Sequence, residues 1–166
     1  MSTVETVEAL VTALQSGDIE LAAKLLSADC MVSGFTPKPL TQEKFLALQS
    51  QLLVAMPDFS YNLSEIHGEG NEVHALVRMS GTQNNALELP MFGLRDIPAT
   101  GLAVSLPQVE STWQVEHNRV VGIQMQEVHG GGLTGLLQQV GAELPVLPRV
   151  GEIDPGTTDF GGETIR

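Results

Sequence analysis

Residues 120–132, VVGIQMQEVHGGG, form the stretch that most constrains the fold. Apolar residues from Val121 to Met125 alternate with glycine and glutamine, so a strand here would turn an apolar row to one side and an amide-bearing row to the other. Glu127 and His129, two groups that can move protons, follow before three glycines. We therefore predict that, if the protein has an active site, one face of this strand forms its floor.

The composition is that of one globular domain with a tail. The chain has 166 residues, of which 42% are hydrophobic and 17% are charged, and no apolar run approaches the ~20 residues that span a bilayer. The first residues, MSTVETVEAL, lack the basic and apolar segments of a signal peptide. We expect a cytoplasmic protein without membrane contact, with a domain over residues 1–141 and a tail over residues 142–166.

The charge and the single cysteine exclude several classes of protein. A net charge of −12 with scattered lysines and arginines repels phosphate backbones, so nucleic acid is not an expected partner. Cys30 is the only cysteine, which excludes an intramolecular disulfide and multi-cysteine metal motifs. His67, His74 and His117 lack metal-ligand spacing and lie at predicted turns. The sequence predicts no metal site and no cofactor.

Helical spacing dominates the first third of the chain, and alternation dominates the rest. Ser2 with Glu5 forms a capping-box pattern, while Asp18 and Thr41 can cap two further helices. The spacing predicts helices over residues 3–15, 18–28 and 41–56, and a short one over residues 133–140. It predicts strands over residues 59–66, 73–82, 103–106, 110–116 and from 120 onward, a strand or extended connector over 30–35, and an ordered loop over 84–101.

The tail changes to a composition rich in proline, glycine, aspartate and threonine. Ordering about 25 residues would cost more backbone entropy than its few apolar side chains could return. We expect the tail to be mobile alone or to pack on a second subunit.

The order of elements resembles the nuclear transport factor 2-like superfamily, and within it the SnoaL-like polyketide cyclases. Short segments distributed between residues 3 and 141 support this resemblance, and their order makes it specific for the fold. The segments are residues 16–18 (SGD), 56–59 (MPDF), 68–73 (GEGNEV), 80–82 (SGT), 98–101 (PATG), Trp113 and 135–141 (GLLQQVG).

The resemblance implies an α+β fold with a strongly curved antiparallel sheet. The sheet would form a cone-shaped half-barrel, with three N-terminal helices packed into its concave face, a short C-terminal helix and an extended tail. It also implies an apolar pocket for a small apolar or aromatic molecule, and a homodimer through the sheet. The expected pocket residues are Phe35, Phe59, Met79, Met91, Phe92, Trp113, Gln124 and Met125. The methionines, Phe92 and Trp113 would equally suit an ordinary apolar core, and the sequence leaves both interpretations open.

The chain departs from the cyclases at the residue that matters most for their chemistry. The cyclases use an acid in the last long strand as general acid/base, in a stretch that here falls on residues 122–125 (GIQM). Glutamine cannot exchange protons near neutral pH, so Gln124 or Gln126 could orient a ligand but could not replace that acid. Glu127 and His129 are the nearest groups that could, and continued alternation would place both on the side of Met125.

Three functions remain open at this point. The first is a small-molecule-binding protein with lost or altered cyclase or isomerase activity. The second is a non-enzymatic dimerisation or interaction module. The third is a lyase or isomerase that uses Glu127 and His129.

Overall fold

A computed structural model describes residues 1–142 of the protein. The predicted tail therefore lies outside the described residues, apart from Ala142. The described part contains four α-helices, which are α1 (Thr3–Ser16), α2 (Ile19–Leu25), α3 (Gln42–Ala55) and α4 (Gly132–Gln139). It contains eight strands, which are β1 (Leu26–Ser33), β2 (Leu40–Thr41), β3 (Ser64–Glu69), β4 (Glu72–Val77), β5 (Ser80–Thr82), β6 (Ala103–Ser105), β7 (Val109–Glu116) and β8 (Arg119–Met125).

The helix starts follow the capping residues in the sequence. The Ser2 hydroxyl accepts a hydrogen bond from the Glu5 N–H while the Glu5 carboxylate accepts one from the Ser2 N–H, which confirms the capping box. Asp18 and Thr41 cap α2 and α3 through their side chains, as predicted. Local capping chemistry therefore determines where each of these three helices begins.

The main sheet has six strands in the order β2-β1-β8-β7-β4-β3, and β5 pairs with β6 in a second, two-stranded sheet. The prediction of an antiparallel sheet was wrong, because β1 runs parallel to β8 and the sheet is mixed. Residues 34–118, about half of the chain, separate these two strands, so no local turn in the sequence revealed their relative direction.

Three predicted strand boundaries were also wrong. The predicted strand over residues 59–66 begins only at Ser64, because Asn62 has a positive φ angle of 48°, which interrupts an extended chain. The predicted strand over residues 73–82 divides at Val77, after which β5 joins the second sheet. The first strand begins at Leu26 rather than at Cys30, because Leu26 already pairs with Val120 on β8 and thereby shortens α2.

One face of the main sheet carries the core. Along β7 and β8 the buried residues include Ser111, Trp113, Ile123 and Met125, while the alternate positions face outward. Helix α1 contacts β3, β4, β7 and β8, while α2 and α3 contact β1. Within residues 1–142, no helix combines the length and apolar character that crossing a bilayer requires.

Candidate functional site

A small apolar cavity lies where β1 and β8 end. Its volume is about 20 Å³, enough for about one water molecule. Phe35, Met79 and Met125, three of the predicted pocket residues, line it. The remaining lining residues are Gly34, Val77, Leu106, Pro107, Val109, Gln126 and Gly132.

Glycines allow the backbone to approach closely around this cavity. A Cβ added at Gly34 would lie 1.9 Å from the carbonyl oxygen of Met125, and Gly34 has a φ angle of 92°. A Cβ at Gly132 would lie 2.7 Å from the carbonyl oxygen of Phe35. The Leu133 N–H donates to that same oxygen over 2.8 Å. Backbone contacts that only glycine permits therefore join the end of β1, the end of β8 and the start of α4.

A groove of about 350 Å³ lies outside the cavity and shares Gly34, Phe35 and Gly132 with it. Glu127 and His129 line this groove, and both are exposed. The strand ends at Met125, so the alternation that would have turned them toward the side of Met125 does not continue to them. The other lining residues are Thr36, Pro37, Val128, Gly130, Gly131, Thr134, Gly135 and Gln138. We call the cavity and the groove together the Phe35 site.

Two predicted pocket aromatics lie within the packed core. Trp113 is fully buried, and its indole Nε1–H donates to the Ser111 hydroxyl oxygen over 2.8 Å. Phe59 is also buried and packs edge-on against Tyr61, with 5.2 Å between ring centroids. Neither residue lines the cavity or the groove of the Phe35 site.

Three other predicted pocket residues lie apart from the Phe35 site. Met91 and Phe92 belong to a 3-10 turn, where Met91 is exposed and Phe92 packs partly buried against the core. Gln124 is exposed because it alternates with the buried residues Ile123 and Met125, and so its side chain faces away from the core. Gln124 and Met125, both predicted to line the pocket, therefore face opposite sides of β8.

A buried polar pair beside the site was missed in the sequence. The Tyr61 hydroxyl donates to Oε1 of Gln49 on α3, and both side chains are buried. Among the described residues, Nε2 of Gln49 has no hydrogen-bond partner. Burial raises the pKa of Tyr61 above its ordinary value, so the hydroxyl keeps its proton. The available signal was one amide within the apolar stripe that Phe45, Leu48 and Leu52 form on α3.

Metal binding and thiol chemistry receive no support from the described part of the chain. Within residues 1–142, no three histidine, cysteine or acidic side chains are grouped in a way that could hold a metal ion. The Cys30 thiol is buried, and desolvation raises its pKa to about 11. A thiol with that pKa is largely unreactive at neutral pH because the thiolate is the nucleophile.

Comparison with known proteins identifies the family. The sequence model of the SnoaL-like domain matches residues 7–123. The chain belongs to the SnoaL-like domain family. Its α+β architecture with a mixed sheet is consistent with the nuclear transport factor 2-like fold that the sequence segments indicated. A comparison of this SnoaL-like protein with curated protein sequences gives no significant match.

Solved structures share the fold at low sequence identity. IdmH of Streptomyces antibioticus, a candidate polyketide cyclase, is 20% identical with a TM-score of 0.63, covering 86% of this chain and 100% of its own. AclR of Streptomyces galilaeus, a candidate hydroxylase, is 18% identical with a TM-score of 0.63, and the match covers 84% of this chain and 95% of AclR. An epoxide hydrolase of M. tuberculosis is 16% identical with a TM-score of 0.59, and the match covers 83% of this chain and 91% of the hydrolase. These similarities establish a common fold for this SnoaL-like protein.

Proposed function

We propose that this SnoaL-like protein binds a small, largely apolar molecule at the Phe35 site. The observation that carries the proposal is the common wall of the site, since Gly34, Phe35 and Gly132 border both the groove and the apolar cavity. A ligand in the groove would therefore lie against Phe35, with the thioethers of Met79 and Met125 behind it. Thioethers adapt to irregular apolar shapes, which suits this role.

The volumes indicate how a ligand would be accommodated. The groove, at about 350 Å³, is within the range of roughly 300 to 1,000 Å³ that is usual for ligand pockets. The cavity, at about 20 Å³, is far below it. The ligand would occupy the groove first and enter the interior only as Phe35 or Met79 moves. The cone-shaped curvature that the family resemblance implies is part of this proposal, because it would enclose the site.

A steric variant tests the location of binding. Thr134 is exposed on α4 and lines the groove, whereas Thr12 is exposed on α1 and does not. We expect 1-tetralone, an aromatic bicyclic ketone, to bind the wild-type chain and Thr12→Trp with similar affinity in a calorimetric titration. Thr134→Trp should weaken binding by about tenfold or more because the indole would fill the groove. Equal affinity in all three proteins would place the site elsewhere, and no binding to any of them would reject the proposal.

Acid/base catalysis by Glu127 and His129 is a second candidate, because both residues line the groove. Residues 122–125 offer no carboxyl group in β8, so these two residues would have to supply the proton transfers. An enzyme of this kind would exchange the protons on the carbon beside the carbonyl of 1-tetralone for deuterium in D₂O. We expect the wild-type chain to accelerate that exchange about 100-fold and Glu127→Gln to abolish the acceleration. Exchange at the rate of buffer alone would remove this candidate.

A homodimer through the outer face of the main sheet is a third proposal. This face presents alternate residues of β7 and β8, among them Gln124, and Met31 on β1 is 43% exposed. Such a face can self-associate around a twofold axis. Light scattering of the wild type should give twice the mass of one chain. Gln124→Arg should give the mass of a single chain, because like charges would meet across the axis. A wild-type monomer would reject the dimer.

A further inference from the structure

The Gln49 amide is an unusual feature of the core. Gln49 is 1% exposed and lies on the face of α3 that carries Phe45, Leu48 and Leu52. Its Oε1 accepts the Tyr61 hydroxyl, but its Nε2 has no partner among the described residues. A buried donor without an acceptor loses its hydration without compensation, and such groups are rare in native proteins. The unpaired Nε2 therefore points to an acceptor that residues 1–142 do not provide.

The segment that carries Tyr61 runs beside the segment that carries Met79, a residue of the Phe35 site. Ser60 and Ser80 form a β-bridge, so Tyr61 and Met79 occupy neighbouring positions on adjacent segments. The Arg78 N–H also donates to the carbonyl oxygen of Tyr61 over 2.9 Å. Tyr61 and Met79 are both buried, and Met79 lines the cavity. Side chains at paired positions of adjacent antiparallel segments lie on the same side, which places the flexible Met79 side chain beside that of Tyr61.

We propose that Gln49 is a specificity-determining residue whose Nε2–H donates a hydrogen bond to a neutral oxygen, such as a carbonyl, at the inner end of the ligand. This inference rests on the proposed binding of an apolar molecule at the Phe35 site. The ligand would displace the Met79 thioether and extend the cavity toward the amide. Tyr61 is a positioning residue, because its hydroxyl holds Oε1 of Gln49 and turns Nε2 away from itself.

The surroundings select a neutral oxygen over an anionic one. The raised pKa of Tyr61 has desolvation as its cause, which indicates an environment that disfavours charge. An anion buried there would lose its hydration and gain only one neutral amide donor. An apolar molecule with one carbonyl or ether oxygen loses little hydration and completes the hydrogen bonding of Gln49.

Two probes of nearly the same shape test the inference. The ligands are 1-tetralone, which has a carbonyl, and tetralin, its hydrocarbon analogue. The dissociation constant of each would be measured with the wild-type chain and with Gln49→Met. We expect the preference for tetralone over tetralin to fall about fivefold or more in Gln49→Met, while tetralin binding persists. Tetralin binding with an unchanged preference would overturn the role of Gln49 and leave the proposed function standing. No binding of either probe to the wild-type chain would overturn both.

A second variant separates a binding role from a structural one. Gln49→Met combined with Tyr61→Phe removes both members of the pair and keeps their approximate shape. We expect the melting temperature of the unliganded double variant to equal or exceed that of the wild type, and its preference for tetralone to be lost. A preference for tetralone that survives in the double variant would show that the pair serves only the fold. A large drop in melting temperature would also overturn the inference, because the unliganded fold would then depend on the pair.

Discussion

Two neighbouring regions of the core differ in how completely their polar groups are paired. In the Trp113 core, formed by Val73, Ala75, Ser111, Trp113 and Ile123, the Ser111 hydroxyl accepts from the Trp113 indole and donates to the carbonyl oxygen of Ala75. At the Phe35 site the adjacent Tyr61 hydroxyl donates to Gln49, whose Nε2 is left unpaired. The first region is complete as folded, whereas in the second no described residue supplies an acceptor for Nε2, and the site contains a cavity.

The difference suggests how one scaffold divides its tasks. Side-chain packing and closed hydrogen bonds stabilise the Trp113 core, and close backbone contacts at glycines hold the Phe35 site. A site held by its backbone can exchange side-chain contacts for ligand contacts without loss of its framework. Substitutions in the two regions test this division.

Substitution of Gly34 should damage the framework of the Phe35 site most severely. Its φ angle of 92° and the 1.9 Å approach of an added Cβ to the Met125 carbonyl oxygen leave no room for alanine. We expect Gly34→Ala to lower the free energy of unfolding by at least about 3 kcal/mol in urea titrations. Gly93→Ala is the matched control, because Gly93 has a φ angle of 71° but an added Cβ there would have no atom within 4 Å. Its free energy of unfolding should fall by about 1 kcal/mol. Similar losses in both variants would contradict the framework described for this site.

Removal of the Ser111 hydroxyl should expose the contrast between the two polar pairs. Ser111→Ala leaves the buried Trp113 N–H without its acceptor, so we expect a loss of about 2 kcal/mol in the free energy of unfolding. The double variant Gln49→Met with Tyr61→Phe should change it by less than about 1 kcal/mol, because no unpaired group remains. If the double variant lost more than Ser111→Ala, the distinction between the two regions would be wrong.

Alkaline pH provides a third comparison, since Tyr61 and Cys30 are both buried. Burial raises the pKa of Cys30 from 9.0 to about 11, and it raises that of Tyr61 above 10.0. The folded state holds both protons more tightly than the unfolded state. The stabilisation is therefore complete below pH 9, and it is lost progressively as the pH rises, from Cys30 first and from Tyr61 above pH 10.

Denaturant titrations between pH 8 and pH 11 would measure this loss. We expect this alkaline loss in the free energy of unfolding to be smaller in Cys30→Ala by on the order of 1 kcal/mol. The Gln49→Met, Tyr61→Phe double variant should reduce only the loss that occurs above pH 10. Ser111→Ala, which removes no titratable group, should keep the wild-type slope. A wild-type stability that does not change from pH 8 to pH 11 would contradict the burial of both groups.

An exposed polar pair should show the smallest effect. His74 and Glu72 on β4 approach within 3.3 Å, and both are partly open to solvent. Exposed ion pairs contribute little because water screens them, so Glu72→Gln should change the free energy of unfolding by less than about 0.5 kcal/mol at pH 7. A loss as large as that of Ser111→Ala would mean that burial does not distinguish these pairs.

Local patterns in the sequence predicted much of this fold. Ser2, Asp18 and Thr41 determine the helix starts, and all three caps were predicted because a cap involves residues only three apart. The parallel pairing of β1 with β8 was not predicted, since it depends on the path of the whole chain. The family was also indicated correctly by short segments in the right order.

The candidate site was predicted only in part. Phe35, Met79 and Met125 meet at the cavity. Gln124 lies next to Met125 on β8 but faces outward, because successive side chains of a strand point to opposite faces. Trp113 looked like a pocket residue from its type alone, but the Ser111 hydroxyl that fixes it in the core comes from packing. Gln49 was overlooked because a single amide on an apolar helix face gives no indication of what it will meet.

The central claim is that an apolar molecule binds at the Phe35 site, and methionine-methyl NMR tests it most directly. The chain has six methionines, of which Met79 and Met125 line the cavity while Met1 and Met31 are exposed. During titration with 1-tetralone, we predict saturable shifts of the Met79 and Met125 methyl resonances, with those of Met1 and Met31 unchanged. Saturable shifts confined to other methionines, or no shift at saturating 1-tetralone, would contradict the claim.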